Sequence, residues 1–337
     1  MNIKNNESIN MNREVSVYKE EWPLKEPFEI TGYLFKSFKL LIVEINDGDN
    51  IGRGEASGIY YLNDTVDTAF EQVQTVLEDL KNGMDRVSLQ NKLPAGGARN
   101  AIDCALWDLE CKIKNKSIWE ITNIKPKPLL TAHTIGVMKT PELAARKAIE
   151  MQDKSLLKIK LNGNNPIDHV RAIRKARPDA RLFIDANQGF SYQQLLECIP
   201  EFKKCGVEMI EQPLPRGEDK ILEGLNPEIP LGADESCLHR GELEDAAKRY
   251  QMINIKLDKT GGLTEALLLV KEIQSKGLDI MVGNMGGTSL AMAPGFVVAQ
   301  MCQLVDLDGP SCITFDRLNG LPYVGDKIEL SNNLIWG

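Results

Sequence analysis

The sequence lacks the residue patterns of zinc and dithiol sites. Its seven cysteines include no C-x-x-C pair, and its three histidines are far apart in the chain. These spacings argue against a cysteine-held zinc ion or a redox disulfide. We therefore expect reduced and mostly buried cysteines, and any bound metal should have oxygen ligands.

Long apolar runs and basic clusters are also missing. No stretch approaches the roughly 20 apolar residues that span a bilayer, and the polar opening, residues 1–14, lacks the apolar core of a signal peptide. A formal net charge of -8 argues against a surface that binds polyanions. We expect a cytoplasmic protein that binds neither nucleic acid nor membranes.

Nucleotide-binding motifs are absent as well. The chain contains neither G-x-G-x-x-G after its first strands nor G-x-x-x-x-G-K-[ST], so it has no signature of dinucleotide or P-loop chemistry. What is present is an ordinary globular composition, 42% hydrophobic and 26% charged over 337 residues. This length suffices for one large domain and a smaller one.

Residues 1–125 are predicted to form an α+β domain. Apolar alternation over residues 14–57 predicts antiparallel strands. Helical periodicity then predicts two helices, which begin at about Asn63 and Ala98. The proline-rich segment 125–128 predicts the end of this domain.

Residues 126–310 alternate short apolar strands with amphipathic helices, which favours an α/β fold of the (β/α)8 barrel type over an open doubly wound sheet. The last crossover, after Ser289, is interrupted by glycine and proline, so its helical pattern is weaker than that of the others. The predicted strands are LLTAHTIGV, LLKIK, RLFID, VEMIE, PLGAD, MINIK, DIMVG and LVDLD.

The carboxyl ends of these strands should converge on one barrel mouth, where active sites of this architecture lie. An unpaired carboxylate at the end of an apolar strand is costly, so we expect three acidic ends on adjacent strands to share a cation. Oxygen ligands favour Mg²⁺, with Mn²⁺ as the second choice. The charged ends are Lys158, Lys160, Asp185, Glu211, Asp234, Lys256, Asp306 and Asp308.

Two lysines should stand on opposite walls of the barrel. Lys160 ends the second strand and Lys256 the sixth, and these strands are diametrically opposed in an eight-stranded barrel. Lys158 shares the face of Lys160, and its positive charge should lower the pKa of Lys160 toward the working pH. Lys259, in the loop after the sixth strand, is the less favoured base.

Taken in order, these motifs resemble the enolase superfamily in its muconate-lactonising subgroup, and within it the dipeptide epimerases and N-acyl amino acid racemases. The resemblance implies a modified (β/α)7β barrel over residues 126–310, an α+β capping domain and a carboxy-terminal segment, residues 311–337, that returns to the cap. It covers nearly the whole chain and rests on ALWDLECK, the lysine pair of LLKIK, DANQG, EQPLP, ADES and IKLDKTGG.

The resemblance also implies the roles of the site residues. Members of this superfamily combine a lysine or histidine base with Mg²⁺. Asp185, Glu211 and Asp234 then look like the Mg²⁺ ligands, and Lys160 and Lys256 look like the two acid/base catalysts. Asn187 and Glu235 would orient these groups. One lysine would remove the α-proton of a carboxylate substrate and the other would return one to the opposite face.

This chemistry is that of an isomerase which passes through an enediolate and needs no organic cofactor. Asp306 and Asp308 match the D-x-D motif by which dipeptide epimerases hold the substrate's α-ammonium group. We therefore expect epimerisation of the carboxy-terminal residue of a dipeptide. The resemblance further places Thr134, Lys158 and Tyr33 beside the substrate, and it is compatible with a homo-oligomer.

Other functions stay open. Similar chains that share GTSLAMAP and VDLDGP look like N-acetylglutamate racemases, so an N-acyl amino acid substrate is an alternative. An o-succinylbenzoate synthase or a muconate cycloisomerase would use the same scaffold, metal and lysines. A Schiff-base aldolase and a non-catalytic binding protein on a degenerate barrel are the alternatives from other classes.

The chain departs from the family pattern in its capping loop. Relatives that act on glutamate carry an arginine shortly after the segment that corresponds to PFEI. Here the sequence reads TGYLFKS, with Gly32 and Tyr33 in that neighbourhood and Lys36 as the nearest base. This argues against L-Ala-D/L-Glu specificity and favours an apolar or mixed dipeptide. The candidate pocket walls are Trp22, Tyr33, Tyr60 and Tyr61.

Overall fold

The computed structural model describes residues 13–331 and 333–337. The prediction about the polar opening of the chain falls mainly on residues 1–12 and lies outside these residues. In the part of the chain that the structure describes, none of the helices has the length and apolar character that crossing a bilayer requires.

A three-stranded antiparallel sheet opens the described chain, as predicted, and its strands pair in chain order. The first two strands form a long hairpin in which Ile30 lies opposite Tyr33. Gly32 occupies the turn with a φ of 82°, a conformation that glycine adopts without strain. The predicted capping loop is therefore a strand hairpin. The strands are β1 (Glu14–Ile30), β2 (Tyr33–Asp47) and β3 (Asn50–Ala56).

Five helices complete the cap. The helix predicted from Asn63 begins only at Val66, because a 3₁₀ turn precedes it and the Thr65 side chain caps it by accepting from the Thr68 N–H. The longest helix packs so closely on β3 that a Cβ at Gly54 would lie 2.0 Å from the Ala101 carbonyl oxygen. The helices are α1 (Val66–Thr75), α2 (Leu77–Lys81), α3 (Arg86–Leu89), α4 (Gly97–Lys114) and α5 (Ile118–Thr122).

Eight parallel strands form the second sheet in chain order, which confirms the predicted barrel. The Ala132 N–H donates to the Val305 carbonyl oxygen at 2.7 Å and so links the two edges of this sheet. The strands are β5 (His133–Ile135), β6 (Leu156–Lys160), β7 (Arg181–Asp185), β8 (Val207–Glu211), β9 (Leu231–Ala233), β10 (Met252–Ile255), β11 (Asp279–Val282) and β12 (Leu304–Val305).

The first predicted barrel strand, LLTAHTIGV, is divided between two sheets. Its first part, β4 (Leu129–Leu130), pairs with β14 (Lys327–Ile328), which in turn pairs with β13 (Tyr323–Val324). Only its second part, β5, belongs to the barrel. The carboxy-terminal segment thus pairs with the entrance to the barrel.

The helices in the crossovers between barrel strands do not all follow the prediction. The last one, predicted to be weak, contains an 11-residue helix with Pro294 inside it. Proline removes one helical hydrogen bond, but nearly every side chain of this helix is buried, so packing outweighs that loss. The helices are α6 (Pro141–Glu150), α7 (Pro166–Ala176), α8 (Tyr192–Lys204), α9 (Leu243–Ala246), α10 (Leu257–Thr260), α11 (Leu263–Ser275), α12 (Ser289–Ala299) and α13 (Gly309–Cys312).

The connections after β8 and β9 contain less α-helix than the other crossovers. The first contains a 3₁₀ turn, Asp219–Leu222, and the second a 3₁₀ turn, Arg240–Glu242, followed by α9. All seven cysteines are free and five are buried, as expected from their scattered spacing.

The barrel interior is packed at its amino-terminal end, so its chemistry must lie at the opposite mouth. The layer that closes it consists of Ala132, Leu156, Phe183, Met209, Met252, Met281 and Leu304. The carboxy-terminal segment runs back to the cap, where Trp336 Nε1 donates to the Cys104 carbonyl oxygen at 2.9 Å. We propose that the cap comprises residues 1–125, the barrel residues 126–310 and the returning segment residues 311–337.

Candidate active site

The charged strand ends predicted from the sequence lie together at the barrel mouth. Alternate residues of β6 face the barrel interior, so Leu156 joins the closing layer while Lys158 and Lys160 reach the mouth. The neighbouring strands place the residues at or just after their carboxyl ends at the same mouth. All six groups on β6–β10 are buried, with at most 9% exposure: Lys158, Lys160, Asp185, Glu211, Asp234 and Lys256.

Each of the two predicted catalytic lysines is held by a different carboxylate. Lys160 Nζ lies 2.6 Å from Asp185 Oδ2 and donates to Asn187 Oδ1 at 3.0 Å. Lys256 Nζ lies 2.7 Å from Asp234 Oδ2. Burial favours the neutral amine of Lys256, but Asp234 outweighs it and holds the pKa well above its ordinary value. The two amines are thus anchored on separate strands.

Lys158 lies in the middle of the acidic cluster. Its Nζ is 3.0 Å from Asp185 Oδ2, 2.8 Å from Glu211 Oε2 and 2.8 Å from Asp306 Oδ2. Burial opposes its charge, but these three carboxylates raise the pKa of Lys158 far above its ordinary value. Lys158 is therefore a fixed cation. Its expected effect on the pKa of Lys160 stays a prediction.

The backbone is strained where the acidic strands end. Asn187, Gln188 and Gln212 adopt left-handed conformations with φ of 41°, 66° and 34°. The buried Gln212 side chain accepts from the Asp234 N–H at 3.0 Å and donates to Tyr250 Oη at 3.1 Å. Gln212 thereby fixes the end of β9 to the end of β8. Periodicity does not indicate this role, because the chain leaves the strand geometry at this residue.

Two further side chains hold the acidic groups: Asn254, which was not predicted, and Lys259, which was predicted as the less favoured base. Asn254 Nδ2 donates to Glu211 Oε1 at 2.6 Å. Because Asn254 lies two residues before Lys256 on β10, the two-residue period of a strand could have revealed it. Lys259 is 1% exposed and donates to Asp234 Oδ1 at 2.7 Å and to the Asn254 carbonyl oxygen at 2.8 Å. Its position is that of a fixed support for Asp234.

The charge balance of the mouth fits a divalent cation. Six buried carboxyl groups face the four buried lysines 158, 160, 256 and 259, which leaves two negative charges without a counterion in this cluster. The carboxyl groups are Asp185, Glu211, Asp234, Glu235, Asp306 and Asp308.

The pKa values agree with a shortage of cations. Burial raises the pKa of Glu211 to about 7 and that of Glu235 to about 8. Glu235 Oε2 is buried and accepts no hydrogen bond from the described residues. Among residues 13–331 and 333–337, no three acidic, cysteine or histidine side chains form a ready metal cluster. The lysines pair with the predicted ligands instead.

The D-x-D motif lies on the β12 side of the mouth. Asp308 Oδ2 accepts from the Thr134 N–H at 2.9 Å, so the motif is fixed to β5. Burial and the neighbouring Asp306 raise the pKa of Asp308 to about 6. Asp306 Oδ1 is buried without a hydrogen-bond partner in the described chain. A cationic group beside this pair would satisfy both observations.

The cap hairpin covers the mouth with apolar side chains. Three lysines, 158, 160 and 256, line the active-site cavity as its cationic groups. No arginine appears among the described residues that line it. The apolar lining residues are Phe28, Ile30, Phe35, Phe38, Tyr60 and Met285.

Of the four aromatic residues predicted as pocket walls, one lines this cavity. That residue is Tyr60. Tyr33 does not line the cavity but contacts Tyr60, with a distance of 4.5 Å between the two ring centroids, and it is 42% exposed. Tyr61 packs against the other side of Tyr60. Trp22 pairs with Phe315 away from the cavity. Phe28, Phe35 and Phe38 were not predicted as walls, because the strand pattern does not show that this hairpin folds over the mouth.

A buried acidic cluster between two lysines, at the mouth of a barrel with an α+β cap, defines an enolase-like protein. Residues 12–122 match the mandelate racemase / muconate lactonizing enzyme N-terminal domain, and residues 142–308 match the enolase C-terminal domain-like family. The chain belongs to the mandelate racemase and muconate-lactonising group of the enolase superfamily. The resemblance found in the sequence is confirmed.

Two relatives align over most of the chain. The L-Ala-D/L-Glu epimerase of Escherichia coli strain K12 is 37% identical over 321 residues, which cover 94% of this chain and 100% of the relative. The N-acetyl-D-glutamate racemase of a Pseudoalteromonas species is 37% identical over 300 residues, which cover 88% and 95%. Racemases and epimerases are isomerases, and this chain is an isomerase of that group.

Solved structures agree with this assignment. An enolase family member from Agrobacterium tumefaciens with homology to dipeptide epimerases, with bound sodium and L-Ala-L-Glu, superposes with a TM-score of 0.93 at 36% identity and covers 96% of this chain and 100% of its own. The dipeptide epimerase of Enterococcus faecalis V583, complexed with Mg and L-Leu-L-Tyr, has a TM-score of 0.88 at 26% identity, with 95% and 97% covered.

Proposed function

We propose that this enzyme inverts the α-carbon of the carboxy-terminal residue of a dipeptide by 1,1-proton transfer between Lys160 and Lys256. The observation that carries the proposal is the placement of two buried amines on opposite strands of one mouth. Each has its own carboxylate, Asp185 for Lys160 at 2.6 Å and Asp234 for Lys256 at 2.7 Å.

Proton removal next to a carboxylate is difficult because it leaves two negative charges on one carboxyl group. A bound Mg²⁺, or Mn²⁺ in its place, would supply the charge stabilisation that this step needs. Asp185, Glu211 and Asp234 would hold it, since they place three buried carboxyl groups at the ends of adjacent strands. Lys158, fixed among three carboxylates, would bind the substrate carboxylate.

The two lysines divide the proton transfer between them. The neutral amine of one takes the α-proton from its face, and the ammonium group of the other donates a proton to the opposite face. The stereocentre is inverted, and the lysines exchange protonation states for the reverse direction. Asn187 holds Lys160 by accepting from its Nζ at 3.0 Å, so the amine is already oriented before the substrate arrives.

The D-x-D pair favours a dipeptide over an N-acyl amino acid. The unpaired Oδ1 of Asp306 and the buried carboxyl group of Asp308 would accept from an α-ammonium group. An acyl group has no cation to offer there and would leave the same oxygen unpaired. N-acyl amino acid racemisation is the second candidate, because all the acid/base groups would serve it equally.

The cap indicates the side chain of the residue that is inverted. Phe28, Phe35, Phe38 and Tyr60 form an apolar wall over the mouth, and no arginine lines the described part of the cavity. Against this wall of rings, a glutamate side chain would lose its hydration without gaining a partner. We therefore assign an apolar or aromatic carboxy-terminal residue to the substrate.

The test is incubation in D₂O with Mg²⁺ and a panel of dipeptides and N-acyl amino acids, followed by mass spectrometry. We expect a gain of one deuterium in dipeptides with an apolar carboxy-terminal residue, and loss of that gain when EDTA removes the metal. Exchange confined to N-acyl amino acids would establish the second candidate. No exchange in any compound would exclude both.

We also propose that the enzyme works in the cytoplasm on a small-molecule substrate, without an organic cofactor and without nucleic-acid or membrane partners. Full activity of EDTA-treated protein after addition of Mg²⁺ alone would support the absence of an organic cofactor. The possibility of a homo-oligomer is tested by light scattering of the active enzyme.

A further inference from the structure

A second and larger cavity adjoins the active site at the D-x-D motif. Its volume is about 610 Å³, whereas the active-site cavity holds about 80 Å³. Both are lined by Phe28, Thr134, Asp308 and Cys312, so the two spaces meet where β12 ends. The larger one continues outward between β1 of the cap, the loop after β5 and helix α6.

The size of this cavity matters because the smaller space alone is too small for a dipeptide. Pockets that enclose small ligands measure about 300–1,000 Å³, and only the larger cavity lies in that range. A substrate whose α-ammonium group binds Asp306 and Asp308 has its first α-carbon at the junction of the two spaces. The side chain on that carbon can therefore enter the larger cavity.

The walls of the cavity favour an uncharged side chain. As many acidic as basic side chains line it, four of each, so its rim has no net charge. The inner walls are apolar and come mainly from helix α6 and the loop before it. They consist of Phe28, Val137, Met138, Leu143 and Met151.

His133 adds one polar atom to this lining. The residue is 6% exposed, and its Nε2 has no hydrogen-bond partner among the described residues. Burial lowers the pKa of His133 to about 4, so the imidazole is neutral at physiological pH. The neutral imidazole ring of His133 can pack against apolar groups of a ligand, and its Nε2 can form a hydrogen bond with a small polar group.

We propose that this cavity binds the side chain of the dipeptide's amino-terminal residue, and that this side chain is bulky and uncharged, such as that of leucine, methionine or phenylalanine. The inference rests on the proposed epimerase function and extends it to the other half of the substrate. The apolar walls favour large side chains, because the free energy gained on binding grows with the apolar area that is removed from water.

The test compares dipeptides that share one carboxy-terminal residue and differ at the amino-terminal position, as L-Ala, L-Leu, L-Met, L-Phe, L-Glu and L-Lys. The readout is deuterium exchange in D₂O, expressed as kcat/KM. Leu143→Trp fills the cavity from helix α6, and Leu196→Trp on helix α8, where Leu196 is 37% exposed, is the matched control. Thermal unfolding of both variants checks that they fold.

We expect the L-Leu, L-Met and L-Phe substrates to exceed the L-Ala substrate in kcat/KM by about tenfold or more. Leu143→Trp should lower kcat/KM for these three substrates toward the value of the L-Ala substrate, whereas Leu196→Trp should not change their order. If the L-Ala substrate has the highest kcat/KM, or if Leu143→Trp lowers kcat/KM equally for all substrates, the inference is overturned while the epimerase function stands. If no dipeptide exchanges deuterium, both proposals fail together.

Discussion

The two sides of the barrel mouth are built on different principles. On the acid/base side, strands β6–β10 bring together buried lysines and carboxylates whose polar atoms pair at 2.6–3.0 Å. On the recognition side, the cap hairpin and β12 contribute apolar rings and a buried carboxylate oxygen, Oδ1 of Asp306, without a partner. On the acid/base side most polar atoms pair within the protein, with Glu235 Oε2 as an exception, whereas the free oxygen of Asp306 on the recognition side is left for a ligand.

The difference follows from how each side is attached. The acid/base residues belong to a closed barrel, in which neighbouring strands fix one another. The hairpin touches the barrel through a few contacts, such as the Val137 N–H to the Glu29 carbonyl oxygen at 3.0 Å and Thr31 Oγ1 to the Leu161 carbonyl oxygen at 3.3 Å. The chemistry can therefore stay constant while the hairpin determines which substrate is accepted.

The strongest test of this division is removal of either of the two lysines proposed as catalysts, Lys160 and Lys256. Lys160→Ala and Lys256→Ala should each lower the rate of epimerisation by about 10³-fold or more, because one face of the substrate loses its proton carrier. One of the two variants should still exchange deuterium into a single enantiomer. The measurement is chiral analysis and mass spectrometry after incubation in D₂O with Mg²⁺.

The control is Lys203→Ala on helix α8, a residue that belongs to neither side of the mouth. Both lysine variants should bind substrate as the wild type does, because the hairpin and the D-x-D pair are unchanged. If both single variants still epimerise freely, the two-base assignment is wrong and the acid/base side does not act as described.

The second test acts on the recognition side. Asp306→Asn removes the charge that would bind the α-ammonium group but keeps an oxygen that can accept from Lys158. We expect kcat/KM for dipeptides to fall by about 100-fold, with a smaller effect on any N-acyl amino acid that the wild type accepts. Equal losses on both substrate classes would show that Asp306 supports Lys158 and does not select the substrate.

The clustering of charged strand ends at the mouth could be predicted from the sequence almost completely. Asp185, Glu211 and Lys256 end apolar strands, and strand periodicity together with the barrel architecture brings such ends together. Asn254 follows the same rule and was overlooked. Gln212 could not be found in this way, because its role depends on a left-handed turn at φ 34° that no periodicity indicates.

The recognition side was predicted less well, for a physical reason. Its walls come from a hairpin whose position over the mouth depends on contacts with distant parts of the chain. Tyr33 and Tyr60 were predicted as walls, but only Tyr60 reaches the cavity. The missing arginine could be read from the sequence, whereas Phe35 and Phe38 could be assigned only once the hairpin was seen to fold over the barrel.

The third test changes one wall of this side. Phe38→Ala removes an aromatic ring that lines the cavity, and it should raise KM for dipeptides with an apolar carboxy-terminal residue by about tenfold, the equivalent of losing part of a buried side chain. The value of kcat should change little, since the lysines are untouched. Phe315→Ala, at a ring that is 61% exposed outside the cavity, is the control and should leave KM unchanged.

The smallest expected effect on catalysis concerns the seam, which is the contact between cap and barrel. Asp258 Oδ1, from helix α10, accepts from the Ser57 and Gly58 N–H groups of the cap at 3.1 and 2.8 Å. Burial raises the pKa of Asp258 from 3.8 to about 7, so between these pH values the folded state binds more protons than the unfolded state. The free energy of unfolding should therefore fall as the pH rises through this window.

Asp258→Asn keeps an oxygen acceptor for the two cap amides and removes the proton that Asp258 exchanges. Between pH 5 and pH 8 the variant should lose about 2.5 kcal/mol less stability than the wild type, measured by thermal unfolding of both proteins in EDTA. At pH 8 its kcat should match that of the wild type, because the acid/base side does not depend on this carboxyl group. Identical pH slopes would mean that Asp258 is ionised in both states, and a large fall in kcat would show that the seam couples recognition to the chemistry.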